Sequence, residues 1–181
     1  MLPYQLITTN AQLKAHLPQW RATPVLAMDT EIAHAHQVPS RKQCVSLVQL
    51  WDGSHEQIWL IDNFTVDLEP FIQQVMMEPL VTKLFHDAPH DLRMLRCPRR
   101  ARSVVCTFAM AKSRLQPRCS LKELSLNLLG LPLDKQYQMS NWASRPLSPE
   151  QLYYAALDSW VTYHVWTKLS AIPVPTPLAA L

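Results

Sequence analysis

Apolar and polar positions along the chain mark out short strands early and helices late. Tyr4 to Thr8 is apolar enough for a first strand, and Thr9 or Asn10 can cap a helix running to about Trp20. After Pro24, Val25-Leu-Ala-Met-Asp-Thr-Glu31 forms a compact apolar strand with polar residues at its end. Cys44 to Trp51 and Gln57 to Ile61 read as two more strands, joined by the turn Asp52-Gly53-Ser54-His55. An amphipathic helix is predicted over Val66 to Met77, and a strand over Leu80 to Phe85. Asp87 suits the cap of the next helix, with Pro89 in its first turn, where a missing N–H costs nothing. Ser103 to Val105 is a weak strand. Helices follow over Thr107 to Arg114 and Ser120 to Leu129, the second closed by Gly130. The last helix is the most strongly marked: Ser148-Pro-Glu-Gln151 combines an N-cap serine, a first-turn proline and a capping-box glutamine, and the helix should run to about Leu169. Ile172-Pro-Val-Pro-Thr-Pro177 cannot continue it. Mixed strands followed by covering helices predict an α/β fold around one central sheet, with residues 1–171 as the domain and 172–181 as a proline-rich tail.

Composition narrows what such a domain can do. A length of 181 residues, 48% of them hydrophobic, suffices for one core. Gly53 and Gly130 are the only glycines, so neither a glycine-rich phosphate loop nor a G-x-G-x-x-G turn can be built, and no nucleotide cofactor of those kinds is expected. The cysteines Cys44, Cys97, Cys106 and Cys119 contain no C-x-x-C pair and read as reduced thiols. Neither a basic-then-apolar leader nor an apolar run long enough to span a membrane occurs, so a cytoplasmic protein without membrane attachment is expected. Net charge is only +3, but it is unevenly spread: Leu92 to Lys122 holds nine basic residues and no acid, leaving a net of −6 elsewhere. Such separation suits a polyanion on one face, whereas the plainer alternative is a solvated helix surface with an arginine-rich turn.

Four acids and a tyrosine are placed where they could act together. Asp29 and Glu31 sit two apart near the end of an apolar strand, so alternation turns both carboxylates to one side, where they repel unless a cation lies between them. Asp91 falls in the first turns of the helix after Phe85-His86, and Tyr154 and Asp158 share a face of the final helix. Taken singly, each has a plain structural alternative: a polar strand end, a helix-start acid, a half-buried aromatic.

In chain order, Asp29-Thr-Glu31, His86-x-x-x-x-Asp91 and Tyr154-x-x-x-Asp158 resemble the three motifs of the 3'-5' exonuclease (DEDD) superfamily in its tyrosine-containing branch, and most closely the ribonuclease D family. Ser120-Leu-Lys-Glu-Leu, Leu131-Pro-Leu-Asp-Lys135 and the stretch from Trp142 to Asp158 extend the resemblance, which runs from about Val25 to Leu169. Cys106-Thr107, Ile32 and Arg93 depart from the family pattern, but none removes an implied metal ligand.

The resemblance implies a ribonuclease H-like mixed sheet flanked by helices and a two-metal-ion hydrolysis of phosphodiesters, with magnesium or manganese as cofactors. Asp29 would bridge both ions, Glu31 and Asp158 would complete the site that activates water, Asp91 would hold the second ion, and Tyr154 would orient the attacking water. The expected partners are single-stranded RNA or DNA 3' ends, shortened to nucleoside 5'-monophosphates, with His86, Arg96, Arg99, Arg100, Lys135 and Arg145 as candidate nucleic-acid contacts. RNA is favoured by the resemblance alone. A Werner-type single-stranded DNA exonuclease and an inactive nucleic-acid-binding module on the same fold stand as alternatives. Many ribonuclease D proteins carry a further helical nucleic-acid-binding domain; with the sequence ending at Leu181, this domain is expected to hold its substrate alone. The sequence does not indicate an oligomeric state.

Overall fold

The computed structural model describes residues 2–54 and 57–175. Six strands form a single mixed sheet: β1 Tyr4–Ile7, β2 Val25–Ala33, β3 Cys44–Trp51, β4 Ile58–Asp62, β5 Thr82–Phe85 and β6 Val104–Cys106, in the order β1-β4-β3-β2-β5-β6. Strand β3 runs antiparallel to both neighbours, while β1 pairs with β4, β2 with β5 and β5 with β6 in parallel. The helices are α1 Asn10–Ala22, a short α2 Glu69–Phe71 that widens into a π-helical turn over Ile72–Met76, α3 Ala88–Met94, α4 Thr107–Ser113, α5 Leu121–Leu124 continuing as a π-helical turn over Ser125–Leu129, and α6 Pro149–Ser170.

Alternation along β2 and β3 divides the core between the two faces of the sheet. Leu26, Met28, Val48 and Leu50 pack with Leu13, Trp20, Phe71 and Val75 from α1 and the α2 segment. On the opposite face, Leu47, Trp51 and Leu60 pack against Tyr154, Ala155 and Ala156 of α6. A third cluster joins α4, α5 and the far half of α6 through Ala111, Leu124, Val161 and Val165. The fold is therefore a sheet covered on both faces, as the order of elements predicts.

The predicted capping box of Ser148 with Gln151 opens α6, and Thr9, one of the two expected caps, opens α1 in a capping box with Gln12. Gly130 closes the α5 segment at φ 67. The other glycine is held by packing as well as by its turn. Gly53 has φ +74, and a Cβ there would lie 2.2 Å from the Tyr163 ring of α6. Two local expectations are corrected. The helix expected from Val66 begins at Glu69, because residues 62–66 form a turn in which the Asp62 carbonyl accepts from the Thr65 and Val66 N–H groups. Asp87 precedes α3 but does not cap it: its backbone is left-handed at φ 67, and its side chain makes no capping bond. Of the proline tail, residues 176–181 lie outside the described residues, as does His55 of the predicted turn.

Candidate active site

The site lies where the sheet changes direction. β2 has an antiparallel neighbour on one side and a parallel one on the other, and a cleft opens past its end, as α/β sheets favour at such a switch. Asp29 and Glu31 occupy the α6 face of β2, just before a register shift between Glu31 and Ile32. α6 crosses this face and supplies Tyr154 and Asp158. Thr30 alternates to the other face, where its hydroxyl donates to Asp91 Oδ1 of α3 at 2.6 Å. The strand therefore uses consecutive side chains to gather acids from helices on both faces of the sheet.

Carboxylate oxygens of Asp29, Glu31 and Asp158 lie within 4.8 Å of one another. Glu31 and Asp158 are each 7% exposed and Asp91 is 4% exposed, whereas Asp29 is half-buried on the floor of the cleft. Burial raises Asp29 well above the ordinary carboxylate range, and the charges of Asp91 and Asp158 raise it further. Glu31 rises for the same first reason, with Asp29 and then Asp158 as the repelling charges. Asp158 is pushed up to about 6 by burial, opposed by the Lys135 ammonium and by a hydrogen bond from Tyr154. Burial lifts Asp91 to about 7 against the Thr30 hydrogen bond. The Tyr154 phenol is driven far up by burial and by the negative charges around it, so it remains a proton donor.

Among the described residues, no arginine or lysine forms an ion pair with these four acids. Hard oxygen donors, convergent and short of positive charge, fit divalent magnesium or manganese. Three carboxylates on one point suit one ion, and Asp91 across the same cleft could help to hold another.

The cleft, of about 310 Å³, also takes in His34, Gln43, His86, His90, Lys135 and Gln138. Of the candidate nucleic-acid contacts, the structure brings His86 and Lys135 here and leaves the arginines outside. His86 Nδ1 lies 2.9 Å from the Thr107 hydroxyl, which donates to the Phe85 carbonyl at 3.3 Å. The ring is also hydrogen-bonded to the Cys119 backbone, so the protein holds it from two sides. Burial, followed by the nearby Lys135 charge, lowers His86 to about 4. Arg145 is committed elsewhere: its guanidinium holds Asp62 through Nε at 2.7 Å and Nη2 at 2.8 Å, and it also bonds Ser46, Trp142 and Ser144. Arg100 is ion-paired with Glu69, while Arg96 and Arg99 are exposed. Thr30, which fixes Asp91, carried no signal in the sequence beyond standing between the two acids.

The sequence pattern described as 3'-5' exonuclease matches residues 4–172. Ribonuclease D of Escherichia coli (strain K12) is 29% identical over 174 residues, covering 92% of this chain and 44% of that protein. Ribonuclease D of Pseudomonas paraeruginosa is 32% identical over 171 residues, again covering 92% of this chain and 44% of that protein. The chain thus spans less than half the length of the curated relatives it matches. The crystal structure of Escherichia coli RNase D, described as an exoribonuclease involved in structured RNA processing, superposes with a TM-score of 0.79 at 27% identity, over 92% of this chain and 44% of that one. Pattern, relatives and fold agree with the acid cluster and its order along the chain: this protein belongs to the 3'-5' exonuclease family and is similar to ribonuclease D.

Proposed function

We propose that the protein is a divalent-metal-dependent exonuclease that shortens single-stranded RNA from its 3' end and releases nucleoside 5'-monophosphates. The observation that carries this reading is the convergence of Asp29, Glu31 and Asp158 within 4.8 Å at the floor of an open cleft, with no basic residue ion-paired to them among the described residues. In this reading residues 1–171 form the nuclease domain. Asp29 would serve both of two ions, Glu31 and Asp158 would complete the site of the first, and Asp91, fixed by Thr30, would help to hold the second. When bound, magnesium or manganese supplies Lewis acidity, making a nucleophile available at neutral pH and offsetting phosphate charge.

The chain's own side chains do the positioning. Tyr154 stays protonated: its O–H donates to Asp158, and its oxygen would accept from the attacking water and so orient it. Lys135, the basic side chain lining the cleft, faces the phosphate. His86, neutral and held by Thr107 and the Cys119 backbone, would meet the substrate as an uncharged group. Arg96 and Arg99 would meet upstream phosphates. The ribonuclease D relatives favour RNA; single-stranded DNA is the second reading, because a terminal 3'-hydroxyl is common to both. Four free thiols and the absence, among the described residues, of any helix able to cross a membrane support a cytoplasmic setting.

The test uses 5'-labelled single-stranded RNA and DNA of one sequence with magnesium, manganese or chelator. A ladder that shortens stepwise with either metal, faster on RNA, and stops in chelator is expected. Internal fragments, or undiminished cleavage in chelator, would refute the assignment.

A further inference from the structure

Tyr154 separates the acid cleft from a second cavity of about 340 Å³ on its other side. Tyr4 from β1, Tyr137 from the loop after the α5 segment, and Tyr153 and Tyr154 from α6 wall this cavity, with Asp134 and Glu150 also lining it. The Tyr137 and Tyr154 rings stand 6.2 Å apart at 52°, tilted so that they do not close on each other. No lysine, arginine or histidine lines it, in contrast to the cleft, and neither acid has a basic partner among the described residues. Both acids are exposed. Glu150 is held below the usual carboxylate range by its own backbone N–H at the start of α6 and by Ser148, so it is charged.

We propose that this cavity binds a small alkylated ammonium ion. Aromatic faces present negative quadrupole to a cation, and nearby carboxylates add long-range attraction. The same features exclude other ligand classes. A phosphate-bearing ligand meets two like charges, and a bare metal ion or primary ammonium loses more hydration against tyrosine walls than they return. An alkylammonium spreads its charge over methyl groups and keeps little water, so it alone matches both walls and acids. The site uses none of the four acids and shares Tyr154 alone with the proposed nuclease chemistry. Occupancy would nevertheless press on the ring whose hydroxyl bonds Asp158.

Choline and 3,3-dimethylbutan-1-ol share a shape and differ in charge, which makes them the discriminating pair. With tyrosine-labelled protein, choline should shift the Tyr137 and Tyr153 ring resonances saturably, with a dissociation constant of roughly millimolar order, and the neutral alcohol should bind about tenfold more weakly. Asp134→Asn combined with Glu150→Gln, both at exposed positions, should weaken choline about threefold or more, and added salt should mimic that loss. Equal shifts from choline and the alcohol would make the cavity a general apolar pocket and overturn the proposal. So would the absence of a saturable response to choline, or saturation of the same tyrosines by a nucleoside 5'-monophosphate in its place.

Discussion

Two regions of the protein treat their buried carboxylates in opposite ways. Asp62, 3% exposed at the end of β4, meets a guanidinium head-on: Arg145 spends Nε and Nη2 on its two oxygens and its remaining donors on Ser46, Trp142 and Ser144. That charge is neutralised from within, and the product is structure, tying the loop before α6 to β3 and β4. Glu31 and Asp158 are nearly as buried, yet they converge with Asp29 on space rather than on an arginine. Desolvated charge without a partner is costly, so their proton affinities rise instead. A buried acid is therefore unremarkable in itself; several of them sharing an unfilled need for positive charge mark a site for a cation.

Substitutions in the two regions should separate activity from stability. The largest expected effect is on activity. Asp29→Asn should lower the rate of 3'-end shortening by roughly 10³-fold, because several kcal/mol of charge stabilisation depend on the bridging carboxylate; single-turnover assays with labelled RNA measure it, and near-normal rates would detach Asp29 from the chemistry. Arg145→Ala should act on the fold. Stranding Asp62 should cost about 3 kcal/mol, at the low end for a broken buried pair since Arg145 is 25% exposed. Urea unfolding would show it, with manganese affinity of the remaining folded protein unchanged; an unshifted midpoint would deny the pair its structural role. Tyr154→Phe should slow turnover roughly tenfold while leaving manganese affinity intact, since it removes a positioning hydroxyl and no charge. If calorimetry shows affinity falling as far as in Asp158→Asn, the division of labour on α6 is wrong. The smallest effect belongs to Arg96→Ala with Arg99→Ala, which should reduce the slope of log K against log salt by roughly one unit per lost phosphate contact and leave kcat alone. An unchanged slope would make both arginines ordinary surface charge.

How far the sequence foretold this contrast depended on whether the information was local. Asp29 and Glu31 could be read because alternation within one strand puts them on one face, and Tyr154 with Asp158 because one helical turn does the same. The capping box that opens α6 is likewise contained in a few residues. Asp62 and Arg145 lie far apart in sequence, and nothing local announces that one neutralises the other, so Arg145 read as a nucleic-acid contact. Thr30 was invisible for a similar reason: its partner Asp91 arrives from another element on the opposite face of the sheet. Asp87 shows the converse failure, since a good capping residue is overridden by a backbone that must turn sharply out of β5.

If divalent metal completes the acid cluster, thermal unfolding must respond to metal and to pH together. Folded-state values raised to about 7 for Asp91 and about 6 for Asp158, with Asp29 and Glu31 also raised, mean that the folded protein binds protons more tightly than the unfolded chain. Their contribution is stabilising at low pH and is lost as pH rises through those values. His86, lowered to about 4, pulls the other way near and below its ordinary value of 6.5, and Lys83, lowered to about 8, does so as pH approaches 8, so between pH 6.5 and 8 the four acids must outweigh both. Metal-free protein should melt lower at pH 8 than at pH 6.5. Manganese at about 100 times its dissociation constant should restore roughly 2.7 kcal/mol at pH 8. Asp29→Asn should melt higher than the parent without metal at pH 8 and gain little from manganese. A parent protein whose melting temperature ignores manganese, or an Asp29→Asn variant stabilised by it as much as the parent, would contradict the account.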